Sequence, residues 1–276
     1  MTAAGHRVEE PAPLFDTHCH LVLLEDQGLL QSALEGAAVA GIEQILSVGL
    51  NLEDSRRNQA IAHAHPGVVF SVGWHPHEKA PPDAVELAAL DQLLDDPRAV
   101  AVGEIGLDRF FRPGYHEVSL DVQLRSLHAM LELAAAHRKP VLIHDRDAHD
   151  DVLAVLRTAP DVRGIMHCFT GDSTHAQRCV DAGFAISFSG IVTFASAGAI
   201  RAAATQCPAG AFVVETDAPF LAPVPHRGTV NLPERVADTA AAIAALRGVP
   251  AAALRADTTS TARRVLGLDA SHGRLR

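Results

Sequence analysis

The stretch VSLDVQLRSLHAMLELAAAHRKPVLIHD, residues 118–145, changes its hydrophobic period once, and that change decides how the chain is built. From Val118 to His137 the apolar residues Leu120, Leu124, Leu127, Leu131 and Ala134 recur at helical spacing and share one face. After Pro140 the pattern becomes a short unbroken apolar run, Val141-Leu142-Ile143, ending in His144 and Asp145. A run that is apolar on both faces suits a strand of a parallel sheet covered by helices, not a half-exposed antiparallel one.

The same alternation recurs on both sides of this unit. Short apolar, β-branched runs predict strands at 14–20, 42–50, 68–75 and 99–108 before it, and at 164–169, 184–190 and 212–217 after it. With 140–145 these make eight, and eight such strands separated by helices predict an α/β fold, a single-domain (β/α)8 barrel of the TIM type. A doubly wound open sheet is the competing arrangement. No linker or composition shift marks a second domain. The barrel is expected over 14–268, with a loose lead-in at 1–13 and a tail at 269–276. The alanine-rich stretch from Ala237 to Ala253 is expected to pack as a terminal helix.

Bulk properties narrow the function. No apolar run approaches the ~20 residues of a membrane span, and the acidic, proline-bearing start MTAAGHRVEEPAP is no signal peptide. Cys19, Cys168, Cys179 and Cys207 form no Cys-x-x-Cys pair, and Cys19 and Cys168 sit inside expected strands. Free buried thiols in a reducing cytoplasm are therefore expected, not a disulfide scaffold. A net charge of −10 argues against a large basic nucleic-acid surface. An enzyme whose positive charge is local or supplied by metal stays open. Phosphate-loop, dinucleotide and nucleophile-elbow motifs are absent from the sequence.

Polar residues gather where a barrel keeps its chemistry, at the C-terminal ends of different strands. His18 and His20 end the first expected strand, in FDTHCHL, where alternation puts Asp16, His18 and His20 on one face and Thr17 and Cys19 on the other. Glu104 lies near the end of the fourth, His144 of the fifth, His167 of the sixth and Asp217 of the eighth. Four imidazoles and two carboxylates at one rim can hold two divalent cations ~3.5–4 Å apart if a carboxylate bridges them. Glu104, between the two histidine groups in strand order, is the natural bridge. Histidine pairs alone prove little: His63 and His65 precede Pro66 at a helix end and read as solvent-facing. His75 and His77 follow the third strand at the rim and read as substrate-side contacts.

These blocks resemble the TatD-type metal-dependent deoxyribonucleases, within the amidohydrolase-like barrels. The matching stretches are FDTHCHL, GWHPH (73–77), VGEIGLD (102–108), KPVLIHDRDA (139–148), MHCFTG (166–171), ETDAPFLAP (215–223) and RGTVNLP (227–233). The resemblance implies one cation on His18, His20 and Asp217, a second on His144 and His167, and Glu104 shared. It also implies a phosphodiesterase, typically magnesium-supported, that trims DNA from 3′ ends. The sequence departs from the family at Gly228-Thr229-Val230, where basic residues often stand, and at Arg109, where an aromatic is usual.

The expected mechanism follows. Two divalent cations (Mg2+, Zn2+ or Mn2+) lower the pKa of a bound water toward ~7. Asp217 acts as general base while ligating metal, and Glu104 bridges. Asp16 orients a ligand from behind, and Arg146 and Arg112 steady phosphate. The expected partner is DNA, mainly single-stranded or frayed 3′ ends, with no membrane. The same ligands also suit hydrolysis of a small ester or amide, including the ester of an aminoacyl-tRNA. A cationic, roomy mouth would favour the polymer, and a closed apolar one the small molecule. A non-enzymatic scaffold would have lost a ligand, and none is lost.

Overall fold

The computed structural model describes residues 12–112, 114–268 and 273–275. Eight strands pair in parallel and in sequence order. They are β1 (Leu14–Cys19), β2 (Ile42–Ser47), β3 (Val68–Val72), β4 (Ala99–Asp108), β5 (Val141–Arg146), β6 (Gly164–Met166), β7 (Phe184–Phe188) and β8 (Phe212–Val214). The ring closes between β8 and β1, where Asp217 N donates to His18 O at 2.9 Å and His20 N to Ala218 O at 2.8 Å. Thr17 Oγ1 adds a bond to Val214 O. The fold is a (β/α)8 barrel, not an open sheet.

Helices α1 (Leu21–Asp26), α2 (Leu30–Val39), α3 (Leu52–Ala64), α4 (Ala84–Leu93) and α5 (Leu120–His137) cover the first half. The second half carries α6 (His149–Leu156), α7 (Ser173–Asp181), α8 (Gly198–Gln206), α9 (Val236–Arg247) and α10 (Ala251–Val265). Helix α5 starts two residues later than its apolar period suggested, because Ser119 caps it by accepting from Val122 N. Its buried face carries Leu127, Met130, Leu131 and Ala134. The alanine-rich stretch is two helices, not one. Gly248 ends α9 in the left-handed conformation (φ 65°), and Pro250 precedes α10.

Two apolar layers hold the barrel. Outside, the helices pack on the outward faces of the strands. Inside, Phe15, Leu46, Val69, Leu142, Ile165 and Val213 fill the lower barrel, and Leu266 and Leu268 close it from below. The upper rim is left for polar groups.

Strands β2, β3, β6, β7 and β8 stop two or three residues before the expected ends. There the chain leaves the ladder: Cys168 (φ 44°) and Asp217 (φ 57°) take left-handed backbone, which non-glycine residues adopt at some cost. Cys168 is thus in a turn, not a strand. Of the expected lead-in, Ala12 and Pro13 are described, and their carbonyls accept from Arg255 Nε and Thr259 Oγ1 of α10. Of the expected tail, residues 273–275 are described, and Leu275 N donates to Glu43 O at 2.7 Å. The remainder of both lies outside the described residues.

Candidate metal centre

Glu104 stands at the middle of the rim, 2% exposed, with its two carboxylate oxygens facing different groups of imidazoles. Oε2 lies 3.4 Å from His18 Nε2. Oε1 lies 2.7 Å from His144 Nδ1, 3.4 Å from His75 Nε2 and 3.7 Å from His167 Nε2. On the His18 side a compact group completes itself: His18 Nε2 is 3.3 Å from His20 Nε2, and Asp217 Oδ1 is 3.2 Å from His20 and 3.8 Å from His18. His18 and His167 stack with ring centroids 3.4 Å apart, joining the two groups. All six residues expected at the rim converge there.

The donor chemistry fits divalent cations. His18, His20 and Asp217 form one set of mutually close donor atoms, and Glu104, His144 and His167 form another. Burial, and then the neighbouring His167, pushes His18 down to about 3, so its ring is neutral with a free lone pair. Burial likewise pushes His75 down to about 4. On the other side burial is outweighed. Asp108 and then Glu104 hold His144 up to about 9, and Glu215 and Glu104 hold His167 up to about 10. Burial alone would raise the Glu104 carboxyl, yet His75 and His167 hold it well below the usual range. The cluster therefore balances buried carboxylates with protons on imidazoles, and a cation can take the place of those protons.

A model of the family described as TatD related DNase matches residues 15–267. The chain belongs to the TatD family. It is a metal-dependent hydrolase by that membership. A relative from Escherichia coli K12, described as the uncharacterized metal-dependent hydrolase YcfH, is 39% identical over 263 residues, covering 94% of this chain and 97% of the relative. A relative from Erwinia billingiae, described as a 3′-5′ ssDNA/RNA exonuclease TatD, is 34% identical over 265 residues, covering 93% and 100%. The crystal structure of the TatD homologue YjjV from Escherichia coli K12 superposes with a TM-score of 0.85 at 28% identity, covering 93% of this chain and 98% of that one.

Around this TatD centre the remaining expected residues fall into place unevenly. His75 reaches Glu104 itself, closer to the centre than a substrate contact requires. His77 turns away to Asp108 Oδ2 at 2.9 Å. Asp16 does not touch an imidazole ring: its carboxylate accepts from Thr216 N at 2.8 Å and Thr216 Oγ1 at 2.6 Å, fixing the residue before Asp217. The even alternation expected for Asp16, His18 and His20 is broken by a register shift between Asp16 and Cys19. Thr17 points into the barrel with Phe15, toward Ser187, whereas Cys19 packs in the outer layer, so the two do not share a face. Arg146 lines the cleft above the centre and donates to Tyr115 Oη at 2.8 Å. Arg112 does not line it; its guanidinium lies 4.1 Å above the Phe110 ring, with Arg146 stacked on that ring at 4.0 Å. His63 pairs with Asp96 at 2.7 Å near the C-terminal end of α3, with its side chain largely exposed and not at a strand's C-terminal end.

Three supporting residues escaped the sequence reading. Asp108, fully buried, accepts from His144 Nε2 at 3.1 Å, His77 Nε2 at 2.9 Å and Tyr115 Oη at 3.1 Å. Its signal was its place on the strand of Glu104, four residues on, with the side-chain-free Gly106 between. Glu215 Oε1 lies 2.9 Å from His167 Nδ1 and accepts from Cys168 N at 2.8 Å. It stands two residues before Asp217. Asn231 donates to Thr216 O at 2.9 Å and Phe220 O at 2.7 Å, pinning the loop that carries Asp217. It lay within a family block, but nothing in its neighbours revealed the partners.

Proposed function

We propose that the rim hydrolyses phosphodiester bonds at the 3′ ends of single-stranded or frayed DNA, with two divalent cations held by His18, His20 and Asp217 and by His144 and His167, sharing Glu104. The observation that carries the reading is the split of Glu104, whose Oε2 faces His18 and whose Oε1 faces His144. When bound, the cations supply an activated water and positive charge at the reacting phosphorus. The protein's own part is positional. Asp217 accepts the proton of the attacking water. Glu215 and Asp108 hold His167 and His144 by their outer nitrogens. Arg146, fixed by Tyr115, offers the cleft a cationic donor for phosphate. Phe220, half exposed beside His20, presents a ring face on which an unpaired base can stack. The nuclease names of the family and of the Erwinia relative support the substrate class.

A second reading, hydrolysis of a small acyl ester or amide or of an aminoacyl-tRNA ester, is favoured by one observation. The cleft of about 600 Å³ has the apolar side chains Leu23, Leu50, Ile191, Phe220 and Leu221 among its lining residues. A panel separates the two: metal-reconstituted protein against end-labelled DNA, end-labelled RNA and a set of carboxylic esters. Faster loss of the 3′ label than of the 5′ label supports the exonuclease. Ester turnover with inert DNA overturns it in favour of the second reading.

A further inference from the structure

The cleft above the rim has aromatic rings on opposite sides. Tyr115 follows β4 and Phe220 follows β8, four places apart in a closed ring of eight strands, and both line the cleft together with Glu104 and Asp217. Tyr115 is 41% exposed and Phe220 51%. Both are nonetheless fixed in place. Tyr115 Oη donates to Asp108 Oδ2 at 3.1 Å and accepts from Arg146 Nη1 at 2.8 Å. Phe220 N donates to Asp217 O at 2.8 Å, and Phe220 O accepts from Asn231 Nδ2 at 2.7 Å. An open ring on a fixed support is a surface on which a base stacks. We propose that the two rings hold successive bases in a set order: Phe220 takes the 3′-terminal base, which leaves with the product, and Tyr115 takes the base next to it, on the strand that stays. This assignment rests on the exonuclease reading above.

The direction of displacement gives the order. Removal of a 3′-terminal nucleotide forms a bond from the water oxygen to phosphorus and breaks the bond from phosphorus to the 3′ oxygen of the neighbouring nucleotide. That oxygen keeps the electron pair and takes a proton from solvent, and Asp217 takes the proton of the water. The attacking and leaving oxygens of an in-line displacement stand on opposite sides of the phosphorus. With the water on the Asp217 side, the leaving oxygen and the strand that carries it point away from β8, toward β4 and β5.

Charge gives the same order independently. Every nucleotide of the retained strand brings a phosphate, whereas nothing follows the terminal nucleoside. Arg146, on β5, is the one lysine or arginine among the described residues that line the cleft, and its guanidinium lies 5.0 Å from the Tyr115 ring centroid and 4.0 Å from that of Phe110. Arg112, exposed, stacks on the same Phe110 ring at 4.1 Å, on the β4 side. Beside Asp217 the lining instead brings Leu23, Ile191, Phe220 and Leu221, with no lysine or arginine. Cationic groups draw the phosphates of the strand to the Tyr115 side, and the apolar side is left for the terminal nucleoside.

Short thymidine oligonucleotides carrying a single 5,6-dihydrothymine test the order, because the saturated ring keeps the sugar-phosphate chain but loses its flat aromatic face. Metal-loaded full-length protein is assayed for release of the terminal nucleotide, with KM and kcat measured separately. In wild type the replacement should raise KM at least about 5-fold at either of the last two positions and leave kcat nearly unchanged. Tyr115→Ala should raise KM for plain DNA about 5- to 150-fold, lose the sensitivity at the penultimate position and keep it at the terminal one. Phe220→Ala should show the reverse. Tyr115→Phe retains the ring and should retain both sensitivities. Each sensitivity is a ratio of two substrates on one protein, so partial misfolding of a variant does not move it. Exchanged sensitivities, or a wild type indifferent to the penultimate base, would overturn the assignment and leave the exonuclease reading standing. Failure to trim any of these oligonucleotides would overturn both.

Discussion

Exchanging Glu215 for glutamine keeps its shape but removes the charge beside His167 Nδ1 and one of the two oxygens that accept from Cys168 N and Ser187 Oγ. Outer partners of ligating histidines cost about 10- to 100-fold in metal affinity or activity when lost. Glu215→Gln should therefore fall in that range in a metal titration, and wild-type affinity would show that His167 is held by packing alone. His63 supplies the contrast. Its side chain is 57% exposed and its one partner, Asp96, is remote from the rim. His63→Ala should leave hydrolysis unchanged and shift stability by no more than about 0.5 kcal/mol in a denaturant melt. Residue type does not separate His63 from His18; position at a strand end does.

The loop after β8 depends on one buried amide. Asn231 spends both N–H groups on Thr216 O and Phe220 O, either side of Asp217. Asn231→Ala leaves those carbonyls unpaired and should cost about 1–3 kcal/mol in unfolding free energy. It should also weaken metal binding by loosening Asp217. Unchanged binding would mean that Asp16 and Thr216 suffice to fix the loop. Elements were legible in the sequence wherever period carried the signal: the leucine face of α5, the apolar runs of β4 and β5, the order of the strands. Their ends were less so. β6 and β8 stop early because Cys168 and Asp217 adopt left-handed backbone, a tertiary choice that no local period announces. The register shift in β1 was hidden for the same reason, and with it the true partner of Asp16. The six rim residues could be collected by strand position alone, but Asp108 and Glu215 act across strands, and only the closed barrel brings them against His144 and His167.

For the whole molecule the rim and the net charge of −10 together set how it meets its substrate. Cations bound to the folded state alone stabilise it by about 2.7 kcal/mol at a hundredfold excess over Kd. For a chain of this size each kcal/mol is worth about 2–4 °C, so chelation should lower Tm by about 5–10 °C, reversibly. On the exonuclease reading, a surface this acidic makes only about two or three phosphate contacts, and log K should fall with log salt with a slope of about −2 to −3 on duplex DNA. Weak grip of that kind does not open internal base pairs, which costs a few kcal/mol per base. Closed circular DNA should be nearly inert, and single-stranded or overhanging 3′ ends should be cut faster than blunt duplex. Rapid cutting of the circle, or a slope steeper than about −6, would reveal a basic surface elsewhere. All of this rests on Glu104 serving two cations at once, and metal content measures that most directly. Count the divalent ions in wild type, His18→Ala and Glu104→Ala. About two per chain, about one, and close to none is the predicted series; a Glu104→Ala protein that keeps both ions would contradict the account.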